Sequence, residues 1–273
     1  MISTSGLSGA FALKIIDRSR DSFEEAIQRD PVNKREIAAF RERVGQITTA
    51  EQLVNDFEVY SFVMKAYDLE SQIFGKAMMK KVLSSDSEDK GSLINKMTDN
   101  RFKDLYKAMG FTGGGTANSN TSDPEWVETM VSRYIEQQLI NGQMESNTTV
   151  GTALHAEARA PALKNWYTVL ADTKLQDFFY TALNLPDSLK SSDVDVQAAM
   201  LKKKFDITTL SDPGVMDKLI TRYTAIADAK TAQDSLSSNP ILQLFSNNNN
   251  SNGQRAIIGI SLDGLSALRQ GRY

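Results

Sequence analysis

Hydrophobic positions along the chain recur at three- and four-residue spacings almost from end to end, the period of amphipathic helices. Gly6 to Gln28 carries Leu7, Phe11, Leu13, Ile15, Ile16, Phe23 and Ile27 in that pattern. Asp30-Pro31 reads as a cap followed by a first helical residue. It opens a helix from Pro31 to Gly45, with Ile37, Phe40 and Val44 on one face. Thr48 and Glu51 frame a capping box ahead of a helix from Thr49 to Tyr67, with Leu53, Phe57, Tyr60, Val63 and Met64 turned inward. Further helices are predicted over Glu70–Leu83, Leu93–Thr98 and Arg101–Met109, the last stopped by Gly110. A second Asp-Pro pair, Asp123-Pro124, opens Glu125–Met144. Thr149–Arg159, Leu163–Ala171, Thr173–Asn184, Asp193–Phe205 and Val215–Asp228 follow.

Polar stretches punctuate this series. Thr112–Ser122 is built of Gly, Asn, Ser and Thr and reads as a flexible linker. Ser246–Gly253, with four consecutive Asn, is of low complexity and expected to be disordered. The apolar piece Ala256–Leu268 reads as a strand-turn-helix or an extended arm. Ile257–Leu262 is the one strand candidate, and a lone strand has nothing to pair with. The expected fold class is therefore all-α: two related multi-helix halves with a flexible linker and extended termini. The expected division is an N-terminal arm (1–16), helical half one (17–111), the linker (112–122), helical half two (123–228) and a mostly disordered tail (229–273).

The two halves carry a faint duplication. Leu53–Leu69 aligns without gaps on Val169–Leu185 at an offset of 116, sharing Asp56/Asp172, Phe62/Phe178, Ala66/Ala182 and Leu69/Leu185. Ala77-Met78-Met79-Lys80-Lys81 then matches Ala199-Met200-Leu201-Lys202-Lys203 at an offset of 122, which implies six extra residues in the second connection. Each unit reads as a long helix, a Leu-containing turn and a helix ending in paired lysines.

Composition narrows the chemistry. The 273 residues include no Cys and one His, which excludes disulfides, thiolate metal sites, a cysteine nucleophile and any multi-histidine metal site. A formal charge of -3 argues against a dedicated nucleic-acid binder. No apolar run approaches the ~20 residues of a membrane helix. Leu7–Ile16 is interrupted by Lys14 and has no basic leader, so a cleaved secretory signal is not expected.

Few residues stand out as catalytic candidates. His155 reads as a partly exposed helical histidine without a positioned partner, and no G-x-S-x-G elbow is present. Gly113-Gly114-Gly115 lacks the Lys-Ser/Thr of a phosphate loop and reads as a hinge. Asp86, Glu88 and Asp89 lack the terminal Glu of a calcium loop. No catalytic, cofactor or metal site is expected. Lys80-Lys81 and Lys202-Lys203-Lys204 read first as complements to helix C-termini, and alternatively as a duplicated patch for an anion or an acidic partner. With the apolar Leu7 and Phe11, the lysines Lys80, Lys81, Lys202 and Lys203 are the candidate partner-binding residues.

Several short motifs resemble an uncharacterised bacterial domain-of-unknown-function family. They run from Ile47-Thr48-Thr49-Ala50-Glu51-Gln52-Leu53-Val54-Asn55-Asp56 through Lys80-Lys81-Val82-Leu83, Asp99-Asn100-Arg101-Phe102 and Met109-Gly110-Phe111. Arg159-Ala160-Pro161, Leu170-Ala171-Asp172, Ala182-Leu183-Asn184-Leu185-Pro186, Met200-Leu201-Lys202 and Ser211-Asp212-Pro213 continue the order. Members of that family often lie in flagellar gene clusters, and some are called flagellar proteins. The resemblance implies a non-catalytic flagellar accessory protein, an assembly or structural factor that binds flagellar protein partners through helices. It implies cytoplasmic synthesis followed by association with, or export through, the flagellar apparatus, with Met1–Gly9 as an unfolded export signal. A cytoplasmic export chaperone or regulatory binding module is the alternative. An enzyme is the third reading, and it requires a pocket holding His155 with a buried carboxylate.

Overall fold

Caps decide where the periodic segments break into separate helices. The computed structural model describes residues 3–238. In chain order the helices are α1 Gly9–Arg18, α2 Arg20–Arg29, α3 Pro31–Arg43, α4 Ala50–Asn55, α5 Phe57–Ala66, α6 Lys76–Leu83 and α7 Leu93–Lys96. They continue as α8 Asn100–Met109, α9 Pro124–Ser146, α10 Thr148–Arg159, α11 Trp166–Leu170, α12 Thr173–Ala182, α13 Val194–Lys204 and α14 Pro213–Ser238. No strand occurs among the described residues, so the fold is all-α.

Three expected helices are interrupted. The stretch Gly6–Gln28 breaks at Ser19. Thr49–Tyr67 breaks at Asp56, whose extended backbone lets its carboxylate accept from the Val59 amide at 3.2 Å and start a new helix. Glu70–Leu83 becomes a 3-10 turn over Glu70–Gln72 followed by α6. The capping box sits one residue later than predicted. Thr49 Oγ1 accepts from Gln52 N, and Gln52 Oε1 accepts from Thr49 N, both at 3.1 Å. Phe57, predicted inward, opens α5 and faces solvent.

The duplication is visible in the backbone. Arg43 and Arg159 end α3 and α10, Ala50 and Trp166 begin α4 and α11, and α5 and α12 start and stop in register, all 116 positions apart. Thr49/Asn165 and Asp56/Asp172 are matching N-caps. Asp68 and Asn184 take matching left-handed conformations (φ 56° and 52°) after the two helices. Beyond them Leu69 N donates to Met64 O, and Leu185 N to Tyr180 O, both at 2.8 Å, the six-to-one bond of a Schellman stop. The same partners pack in each half: α3 on α5 and α10 on α12, α4 on α6 and α11 on α13, α2 on α3 and α9 on α10. Phe62/Phe178, Val59/Leu175 and Ala66/Ala182 are buried pairwise. A 3-10 turn precedes the next helix in both copies, Glu70–Gln72 and Asp187–Ser191, and the second copy has the longer turn and the longer helix after it.

The halves are related but not separable, which corrects the expected domain division. Met1–Lys230 forms one compact unit that holds both halves. Helix α9 is the reason: it packs on α10 of its own half and on α2 and α5 of the other. Phe40, Phe62 and Tyr134 stack through that junction, with ring centroids of successive pairs 4.2 Å apart. Gly151 permits the close α9–α10 approach, since a Cβ there would overlap the Met144 backbone.

The arm and linker expectations are also corrected. Thr4 is buried and its hydroxyl donates to Gln143 Oε1 at 2.5 Å, while Gly9 N donates to Asp228 Oδ1 at 2.9 Å. Helix α1 buries Ala12, Leu13 and Ile16, so this segment belongs to the body rather than to an arm. Thr112–Ser122 is an ordered loop. Thr112 N donates to Ala117 O, Ala50 N to Gly115 O, and the buried Thr121 hydroxyl to Ile47 O at 2.6 Å. Short polar side chains there satisfy backbone groups instead of leaving them to water. Of the predicted tail, residues 231–238 continue α14. Ser246–Gly253, Ile257–Leu262 and Ala256–Leu268 lie outside the described residues.

Candidate functional site

The six candidate partner-binding residues lie on three different helices or their flanks. Leu7 precedes α1 and Phe11 is on it, and both face solvent, Phe11 at 56% exposure. Lys80 and Lys81 are in the last turn of α6, where Lys80 Nζ pairs with Glu51 at 3.0 Å. Lys202 and Lys203 are in the last turn of α13 and exposed. Helix α1 packs on α2 and α10, α6 on α4, α7 and α8, and α13 on α11, so each group occupies its own wall.

His155 overturns its expectation. It lies on α10 in a run of seven buried residues, Val150 to Ala156, and is 1% exposed. Its Nε2 is 2.8 Å from Asp172 Oδ2. The other oxygen of Asp172 accepts from Lys174 N and Leu175 N at 2.9 and 3.2 Å, capping α12. Burial pushes the Asp172 carboxyl up, but the His155 contact, the amide bond and the Arg101 charge outweigh it and hold the group well below the usual carboxylate range.

Around this pair a charged network joins the halves. Arg101 makes a fork to Asp99 (2.7 and 2.9 Å) and reaches Asp68 Oδ2 at 3.1 Å. Lys174 Nζ meets both Asp68 oxygens at 3.2 and 3.1 Å. Arg159 meets Asp104 at 3.2 Å. Burial lowers the Arg159 pKa, and Asp104 opposes that shift. Two cavities touch the network. One, of about 20 Å³, is lined by Asp99, Arg101, Asp104, Arg159 and Asp172. The other, of about 50 Å³, is lined by Tyr67, Arg133, Gln137, His155 and Arg159. These volumes suit a water or two, far below the ~300 Å³ of a small-molecule pocket. Among the described residues no group of three His, Asp or Glu side chains is arranged to hold a metal ion.

A larger feature opens at the surface above this junction. The wall formed by α7, its C-terminal flank and α8 (Asn95, Lys96, Met97, Lys103) faces α11 (Tyr167, Leu170, Ala171) and Val194 of α13 across a groove of about 600 Å³. Asn100 and Thr168, 3.5 Å apart, join the two walls. Of its lining residues only Asn100, Leu170 and Ala171 stood in the motifs of the sequence, and none was a candidate binding residue. The groove forms between elements about 70 residues apart, and no local pattern encodes it.

Among curated proteins none matches the chain. A crystal structure of a protein from Agrobacterium tumefaciens is similar, with 30% sequence identity and a TM-score of 0.71, covering 83% of this chain and 95% of that one. The family described as "Protein of unknown function (DUF1217)" matches residues 66–216, from the end of α5 into α14. With more than half its length matched, the chain belongs to that family of unknown function.

Proposed function

We propose that this chain is a non-catalytic accessory protein of the bacterial flagellum, an assembly or structural factor that works through helix-mediated protein contacts. The observation that carries the binding reading is the set of large apolar side chains left in solvent on an otherwise well-packed body. Phe74 is 94% exposed, and Phe57, Tyr167, Val194 and Val196 are each more than half exposed. The flagellar element rests on the ordered motifs described for the sequence. The small cavities beside His155 and Asp172, about 20 and 50 Å³, support reading that pair as a structural contact.

Clean deletion of the gene is expected to impair swimming or filament assembly, and complementation with a folded His155→Asn variant is expected to restore it. Normal swimming in the deletion strain overturns the flagellar reading. A folded His155→Asn protein that fails to complement favours catalysis instead. The export-chaperone alternative draws on the open groove of about 600 Å³ as a seat for a partner's helix. Fractionation separates the two: a chaperone stays in the cytosol, and a structural factor copurifies with basal bodies or appears in the medium.

A further inference from the structure

We infer that the groove between α7–α8 and α11–α13 receives an amphipathic helical segment of a partner protein, with an apolar stripe flanked on one side by carboxylates. This inference rests on the protein-binding reading above and adds its site and the chemistry of its partner.

The apolar side chains of the groove are well placed for such a stripe. Tyr167 and Val194 rise from one wall, each more than half exposed, with Leu170 and Ala171 beside Tyr167 and Met97 opposite. Helix-binding grooves take side chains at i, i+3, i+4 and i+7 along one helix face. The flanks differ in charge. On the α7–α8 wall Lys96 and Lys103 line the groove, and neither has an ion-pair partner among the described residues. The acids nearest them in sequence are engaged elsewhere, Asp99 with Arg101 and Asp104 with Arg159. On the opposite wall Asp193 and Asp195 bracket Val194. Asp193 caps α13, and Asp195 accepts from the Tyr167 hydroxyl at 2.8 Å. The lining is thus basic on one wall and uncharged on the other, which sets a direction. A helix with carboxylates on one flank gains attraction to Lys96 and Lys103 in one orientation and loses it in the reverse one. The amides of Asn95, Asn100 and Asn165 and the hydroxyls of Thr98 and Thr168 complete a polar rim.

The test is site-specific photo-crosslinking in motile cells with the full chain. The photo-reactive residue p-benzoylphenylalanine replaces Tyr167 or Val194, and Val32, exposed on α3, serves as control. Crosslinks from the two groove positions and not from the control are expected. The captured segment, sequenced by mass spectrometry, should carry an apolar i, i+3, i+4, i+7 pattern with Asp or Glu on one flank. Lys96→Glu with Lys103→Glu, checked by circular dichroism for an unchanged fold, should cut the yield at least tenfold. A captured segment lacking that pattern, or a yield indifferent to charge reversal, overturns the inference. Crosslinks no stronger than at Val32, in cells where the tagged wild-type chain still copurifies its partner, overturn the groove and leave the protein-binding reading standing. Loss of both crosslinks and copurification removes that reading as well.

Discussion

Asp56 and Asp172 stand 116 positions apart, cap equivalent helices, and differ in what they do next. Asp56 is half-buried and takes a fork from the half-exposed Arg43 at 2.6 and 2.9 Å. Asp172, equally half-buried, meets the buried His155 instead. In the first half the position of His155 is held by Ala39. In the second half the residue equivalent to Arg43 is Arg159, which turns away to Asp104 on α8. One duplicated cap thus closes a surface turn in one copy and anchors the junction of the halves in the other. Asp68 and Asn184 repeat the lesson. Both stop a helix in the left-handed conformation, but Asp68 also holds Arg101 and Lys174, whereas Asn184 faces solvent. Local structure was copied with the sequence, and the contacts between copies were then built on it.

The equivalence is tested hardest at Phe62 and Phe178. Truncating either to Ala should cost about 3–5 kcal/mol, read from urea denaturation. Because Met1–Lys230 is one unit, fluorescence of Trp126 and Trp166 should report a single coincident transition in each variant. Two separated transitions would restore independent halves. Next comes the difference between the caps. His155→Ala removes a fully buried side chain and leaves the half-buried Asp172 carboxylate without that partner, and should cost about 3 kcal/mol. Arg43→Ala removes a partner that is itself half-exposed to water and should cost less in the same measurement.

Acid titration sharpens the same contrast. The folded pKa of Asp172 is depressed, so its stabilisation is fully present above the ordinary carboxylate value near ~4 and is lost as pH falls below it. Asp172→Asn should be less stable than wild type at neutral pH and should show a flatter decline below about pH 4, by thermal melts across pH. An unchanged acid limb would show that this pair does not govern it. The smallest effect is expected at the left-handed positions. Asn184→Gly should stabilise by roughly 0.5 kcal/mol by relieving the side-chain penalty. Asp68→Gly should be net destabilising, because the relief is smaller than the loss of two cationic partners.

The all-α class was legible because helical periodicity is carried in every segment, and Asp-Pro pairs mark starts unambiguously: Asp30 and Asp123 cap the helices they were expected to cap. The duplication was legible because caps, stops and inward residues repeat together. Helix breaks inside apolar runs were not. At Asp56 one carboxylate competing for backbone amides outweighs an uninterrupted apolar pattern on either side. Thr112–Ser122 was misread because its polar residues looked solvent-bound while they bond to backbone groups. His155 was misread because its partner lies 17 residues away on another helix, and only the packing of α10 on α12 brings them together.

The most direct measurement for the proposed function is affinity purification of the tagged full-length chain from motile cells, followed by mass spectrometry. Rod, hook or export-gate proteins are expected with the wild-type chain and are expected to be lost on Lys96→Glu with Lys103→Glu. Recovery of no flagellar protein by the wild-type chain would contradict the flagellar assignment, and undiminished recovery by the charge-reversed chain would contradict the groove.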